Sequence, residues 1–223
     1  MAKSRNQHLQ ALLDCGLIPV IRAGGRDEAV EIAGVLVEAG VPVVEIAFTV
    51  PGALQAIEAV ADRFGERVLA GAGTVLDRET ARLAILAGAR FIVSPHLDRG
   101  IVETTHRYGG VAIPGVLTPT EVVRALGWGA GLIKIFPCDA VGGPAYLQAL
   151  KAPLPQARLV PTGGVTAETA AAYLRAGADA LGVGGGLVGE AQRRQKDWRA
   201  VRANAAKLLA AIAAHRAGNS PQS

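Results

Sequence analysis

The chain has only two cysteines among its 223 residues, Cys15 and Cys138, too few for a disulfide framework. No pair of cysteines or histidines has the spacing of zinc ligands, so neither a metal nor another cofactor is expected. An apolar run of about 18 residues without a charge is also missing, which argues against a membrane span. The opening "MAKSRNQHLQ" lacks the apolar core of a secretory signal. These absences point to a reducing cytoplasm. Residues 1–189 carry 16 basic and 17 acidic side chains, so most of the chain has no footprint for nucleic acid. The net charge of +4 comes from residues 190–223, which hold seven basic and two acidic residues. There Trp198, Val201, Leu208, Leu209 and Ile212 recur at helical spacing, the pattern of a helix lying on the domain with its charges in water. The closing "AGNSPQS" (217–223) is expected to be disordered, leaving 1–216 as a single domain.

Half of the residues are hydrophobic, enough to bury a sizeable core. Eight short runs rich in Val and Ile are spread evenly among them: 18–23, 43–49, 68–74, 91–95, 111–115, 132–137, 158–164 and 180–185. Their starts lie 20 to 26 residues apart. Between them sit helical patterns such as "DEAVEIAGVLVEAG" and "AETAAAYLRAG", the second ending in Gly177 like a helix C-cap. Eight strand–helix alternations without a linker predict a (β/α)8 TIM barrel, with a doubly wound open sheet as the alternative. An extra N-terminal helix over 5–14 is expected across the bottom of the barrel, and the basic C-terminal helix on its side.

Barrels of this kind place their sites at the C-terminal ends of the strands. Here those ends read "GAGT", "SPH", "IPG", "IFP", "PTGG" and "GVGGG", tight turns that let backbone N–H groups approach a ligand. Strict alternation puts Lys134 on one face with Leu132 and Phe136, and Glu45 on one face with Val43, Ala47 and Thr49. It puts Arg22 with Ile18 and Val20, and Thr74 with Val68, Ala70 and Ala72. Lys134, Glu45, Arg22 and Thr74 are therefore expected to converge on the lumen.

The lysine is the informative member. The chain has five lysines against 18 arginines, yet a lysine stands between Ile133 and Ile135. One reading is an ion pair with Glu45 that plugs the barrel, although desolvation offsets most of the attraction in such pairs. The other is a nucleophile. An ordinary lysine is only about 0.1% neutral near pH 7.5, and apolar walls raise that fraction. Neutral amine plus a carbonyl gives an iminium, an electron sink that needs no metal. Glu45 beside it is a candidate general acid/base. The glycines ending strands seven and eight suit a phosphate held on backbone N–H groups. His96 and His106 read as surface residues, and Cys138 as a spectator.

The motifs "VVEIAFTVPGA", "GAGTV", "FIVSPHL", "IPGVLTPTE", "LIKIFPCDAVGG" and "VPTGGV" resemble the 2-keto-3-deoxy-6-phosphogluconate and 4-hydroxy-2-oxoglutarate aldolases, over residues 16–190. The resemblance implies a trimeric class I aldolase of the Entner–Doudoroff route that takes phosphorylated keto acids and makes pyruvate. By motif, Lys134 would form the Schiff base and Glu45 would move protons. Arg22 and Thr74 would hold the pyruvyl carboxylate near Thr49, with Pro95 and Phe136 shaping the pocket. Thr162 and the N–H groups of Gly163, Gly164, Gly184 and Gly185 would receive substrate hydroxyl and phosphate. Two positions depart from the pattern. Some relatives carry an arginine where this chain has Thr49, and a serine commonly stands where it has Gly185. Both departures bear on the substrate more than on the chemistry. A phosphate-binding isomerase or epimerase, an aldolase for the phosphogalactonate epimer and a non-catalytic barrel are the competing readings.

Overall fold

Strands and helices alternate throughout the computed structural model, which describes residues 3–219. The strands are β1 (Leu17–Ile21), β2 (Val43–Ala47), β3 (Leu69–Gly73), β4 (Phe91–Val93), β5 (Val111–Ile113), β6 (Gly115–Val116), β7 (Ile133–Ile135), β8 (Leu159–Pro161) and β9 (Leu181–Val183). The first five helices are α1 (Arg5–Cys15), α2 (Arg26–Glu38), α3 (Ala53–Phe64), α4 (Arg78–Leu86) and α5 (Arg99–Arg107). The rest are α6 (Pro119–Gly127), α7 (Pro144–Lys151), α8 (Ala170–Arg175), α9 (Glu190–Gln195) and α10 (Trp198–Asn219).

Local chemistry sets several helix starts. Asp77 accepts from the Thr80 N–H at 2.6 Å to open α4, and Asp98 accepts from the Ile101 N–H at 2.7 Å to open α5. Thr118 and Glu121 form a reciprocal capping box at α6, with Pro119 in the first turn. Each such cap stabilises its helix by about 1 kcal/mol.

Every strand pairing is parallel. Six strands form one curled sheet in the order β5-β4-β3-β2-β1-β9, and β6-β7-β8 form a second. The fifth predicted run is thus two strands. Pro114 has no N–H to donate, so the ladder breaks there, although its carbonyl still accepts from Lys134 N at 2.9 Å. The sheets meet again through single bridges, Leu159 with Ala178 and Thr162 with Gly182. All five residues of β1 and of β2 are buried, as befits parallel strands covered on both faces.

Helix α1 packs against β1 and β5 at the N-terminal ends of the strands, where one was expected over 5–14. The basic C-terminal segment forms two helices, of which α10 lies on α2 and α8. Helix α10 runs on to Asn219, so residues 217–219 are helical where disorder was expected; 220–223 lie outside the described residues.

Candidate active site

Register, more than sequence alternation, settles which side chains share the inner face. Val20 pairs with Glu45, Glu45 with Gly71, Gly71 with Phe91, and Phe91 with Val111. In the second sheet Gly115 pairs with Lys134, and Lys134 with Val160. Partners across a parallel ladder face the same way. Arg22, Glu45 and Lys134 therefore fall on the face expected for them. Strand β3 does not. Its inner positions are Leu69, Gly71 and Gly73, the reverse of the expected Ala70, Ala72 and Thr74. Thr74 follows the strand with φ of 58°, a left-handed turn that breaks the alternation.

The inversion has a steric consequence. An added Cβ on Gly73 would meet Glu45 Oε1 at 1.8 Å, so the absent side chain is the space that the carboxylate occupies. Gly71 makes room in the same way for the Phe91 ring, 2.3 Å from its virtual Cβ.

Among the described residues, Glu45 and Lys134 are the only buried members of the Asp, Glu, Lys and Arg set, at 2% and 6% exposure. They form no ion pair within hydrogen-bonding reach, so the plug reading loses its main support. Burial pulls Lys134 below its ordinary value, opposed by the Glu45 charge and assisted by Arg22. Burial pushes Glu45 up, offset in part by Lys134 and Arg22. Each group is thus biased toward its neutral form. The Lys134 ammonium also stands 4.7 Å from the Phe136 ring centroid.

A cavity of about 180 Å³ opens at the strand ends with Lys134 in its wall. Arg22, Lys134, Phe136, Thr162, Gly163, Gly164, Gly184 and Gly185 all line it. Gly186 and Val165 line it too, and were not foreseen; "GVGGG" does hold a third glycine that could have flagged the first of them. The N–H groups of Gly164, Gly184, Gly185 and Gly186 donate to no acceptor among the described residues, while that of Gly163 faces Gly182 across the bridge. Several unspent donors and one guanidinium around a small cavity are groups suited to an anion.

The remaining expected residues stand at its edge. Arg22 is exposed and donates to Thr49 Oγ1 at 3.3 Å. Pro95 is half-buried beyond β4, its backbone 2.5 Å from where a Cβ on Gly115 would sit. Thr49, Thr74, Pro95 and Glu45 do not line the cavity itself. His96 is exposed and His106 half-buried. Cys138 is buried and pushed up to about 11, which keeps it a thiol. No cluster of three His, Cys, Asp or Glu able to hold a metal occurs among the described residues. A larger cavity of about 460 Å³ lies at the opposite strand ends, against α1, and has neither Lys134 nor Glu45 in its wall.

Residues 10–204 match the model of the KDPG and KHG aldolase family. The chain is 39% identical over 172 residues to 2-dehydro-3-deoxy-6-phosphogalactonate aldolase of Escherichia coli K12, covering 77% of this chain and 83% of that protein. It is 38% identical over 165 residues to 2-dehydro-3-deoxy-phosphogluconate aldolase of Treponema pallidum, covering 74% and 78%. Among solved structures, the KDPG aldolase of Legionella pneumophila, with pyruvate captured at low pH as a covalent carbinolamine intermediate, superposes with a TM-score of 0.81. That structure is 28% identical, and the match covers 92% of this chain and 98% of that one. With its family motifs spread along nearly all of that length, the chain belongs to the KDPG and KHG aldolases.

Proposed function

We propose that this protein is a class I aldolase, a carbon–carbon lyase that cleaves 2-keto-3-deoxy-6-phosphogluconate to pyruvate and glyceraldehyde 3-phosphate, and that also accepts 4-hydroxy-2-oxoglutarate. The observation that carries the reading is a buried lysine without an ion-pair partner in the wall of a cavity, with buried Glu45 near enough to act on its charge. Lys134 Nζ, neutral in a useful fraction, adds to the C2 carbonyl, and loss of water leaves an iminium. Glu45 takes the proton from the C4 hydroxyl as the C3–C4 bond breaks. The bonding pair moves into the iminium, the aldehyde leaves, and an enamine remains. Protonation at C3 and hydrolysis then release pyruvate and return the amine. A carboxyl raised by burial gives and takes protons more readily near neutral pH than an ordinary one.

Arg22 is the cation placed to meet the pyruvyl carboxylate, with Thr49 and Thr74 beside it and Pro95 and Phe136 as walls. Thr162 receives a substrate hydroxyl, and the amides of Gly163, Gly164, Gly184 and Gly185 receive the phosphate. The eight units close as a full (β/α)8 barrel through the β8–β9 bridges and across Pro114, and the working enzyme is a cytoplasmic homotrimer. What supports closure is the continuity of the inner face across both breaks. No described helix is long and apolar enough to cross a membrane.

The two relatives named above differ in the epimer that they act on, so the test compares substrates. Pyruvate release, coupled to lactate dehydrogenase, is measured with phosphogluconate-derived, phosphogalactonate-derived and unphosphorylated keto acids. The proposal expects pyruvate from the first at the highest kcat/KM and from the last at a lower one. An isomerised sugar phosphate without pyruvate would overturn it.

A further inference from the structure

Gly143 of "DAVGG" and Gly164 of "PTGG" lie 21 residues apart in sequence, yet both stand against one phenol. Tyr173 of α8 is 2% exposed, and its oxygen lies 3.2 Å from a virtual Cβ on Gly143 and 3.3 Å from one on Gly164. Its hydroxyl donates to the Gly163 carbonyl at 3.2 Å. Thr169, four residues earlier, opens the same helix without capping it. Its hydroxyl donates backward to the Gly164 carbonyl at 2.8 Å and accepts from the Thr166 N–H at 2.9 Å. Two consecutive carbonyls are therefore fastened to one helix.

A trans peptide points its C=O and N–H in opposite directions. Fastening the Gly163 carbonyl toward α8 turns the Gly164 N–H the other way, and fastening the Gly164 carbonyl turns the Val165 N–H. Both residues line the cavity, and neither amide donates to an acceptor among the described residues. The left-handed φ values of Gly163 and Gly164, 101° and 67°, permit this successive exposure. Burial pushes Tyr173 up to about 12, so its hydroxyl stays protonated and remains a donor.

We propose that Thr169 and Tyr173 are positioning residues that hold the strand-eight loop with its amides aimed at the phosphate of the substrate. They touch neither substrate nor reacting atoms. The proposal rests on the aldolase reading given above. It gives "DAVGG" a reason to end in glycine: the phenol that orders one loop fills the space beside Gly143 of the other. Cys138 N donates to Thr162 O at 3.0 Å and joins the same two loops, so the nucleophile's loop and the phosphate loop share one support.

The test uses Tyr173→Phe, Thr169→Val and, as the conservative control, Thr169→Ser. Loss of one neutral hydrogen bond that orients an amide should raise KM for the phosphorylated keto acid about 3- to 10-fold, with kcat little changed. The same variants should turn over 4-hydroxy-2-oxoglutarate within about twofold of the parent, and Thr169→Ser should behave as the parent on both substrates. Calorimetric titration with inorganic phosphate should show affinity falling in step with the KM change. Equal losses on both substrates, or unchanged phosphate affinity in both hydroxyl-deleted variants, would overturn the positioning role. Phosphate titration does not depend on turnover, so an enzyme inactive on every keto acid would count against the aldolase reading alone.

Discussion

Replacing Gly73 with alanine tests where Glu45 must stand. The backbone at Gly73 is not left-handed, so alanine is conformationally allowed there, and the perturbation is the methyl group alone. That methyl would lie 1.8 Å from Oε1, 2.5 Å from Cδ and 2.7 Å from Cγ of Glu45. To restore even a tight contact near 3.0 Å, the carboxylate must retreat by roughly 1 Å, and it is 2% exposed with little room to do so. A misplacement of about 1 Å in a reacting group can lower the rate by about 10²-fold, and full loss of the acid/base by up to about 10⁴-fold. Overpacking should cost about 1–3 kcal/mol of stability, toward the low end because the displaced atoms end a side chain. Gly71→Ala is the contrast. There the methyl meets a rigid buried ring, Phe91, so stability should fall further while Glu45 stays in place. The assay is steady-state pyruvate release beside a thermal melt for both variants. A folded Gly73→Ala enzyme that turns over within a few-fold of the parent would refute the placement of Glu45 as the working acid/base.

Glu45 should also leave a signature in stability against pH. Its folded value is raised by burial from 4.5, so the folded protein holds a proton that the unfolded chain gives up. Stability therefore falls as pH rises from about 4.5 through the folded value. Glu45→Gln removes that dependence, so denaturant titrations should show the variant gaining on the parent across this window; a constant difference would mean an ordinary carboxyl. Gly185 has nothing within 4 Å of its virtual Cβ, and its φ is not left-handed. Gly185→Ser should fit without strain and lower KM for the phosphorylated substrate about 3- to 10-fold by adding one hydrogen bond. A rise in KM would place the phosphate elsewhere.

Much of this site was legible because burial and polarity conflict at single residues. A lysine between Ile133 and Ile135, or a glutamate inside "VVEIAF", has few structural explanations, and strict alternation then gives its face. Strand β3 defeated the same logic. Leu69, Ala70, Gly71, Ala72 and Gly73 offer no polar contrast, so sequence could not say which parity faces inward. Only the register with β2, set by neighbours distant in sequence, decides it. Pro114 was visible within the fifth run, but its effect on the ladder depends on which partner needs its missing N–H. The support beneath the phosphate loop was not legible either. Tyr173 and Thr169 sit in an Ala-rich helix where a tyrosine reads as core, and their hydrogen bonds to Gly163 and Gly164 exist only once the chain has folded.

The central claim is that Lys134 forms an imine with pyruvate. The direct measurement is borohydride reduction of the enzyme in the presence of pyruvate, followed by peptide mass spectrometry. The account predicts irreversible inactivation and a single adduct on the peptide containing Lys134, absent from Lys134→Arg, whose guanidinium stays protonated and cannot condense. Lys151 is the informative bystander, since it is held by Asp179 at 2.9 Å and the Ala157 carbonyl at 2.6 Å. An adduct on Lys151, or an enzyme that keeps full activity after reduction with pyruvate, would contradict the account.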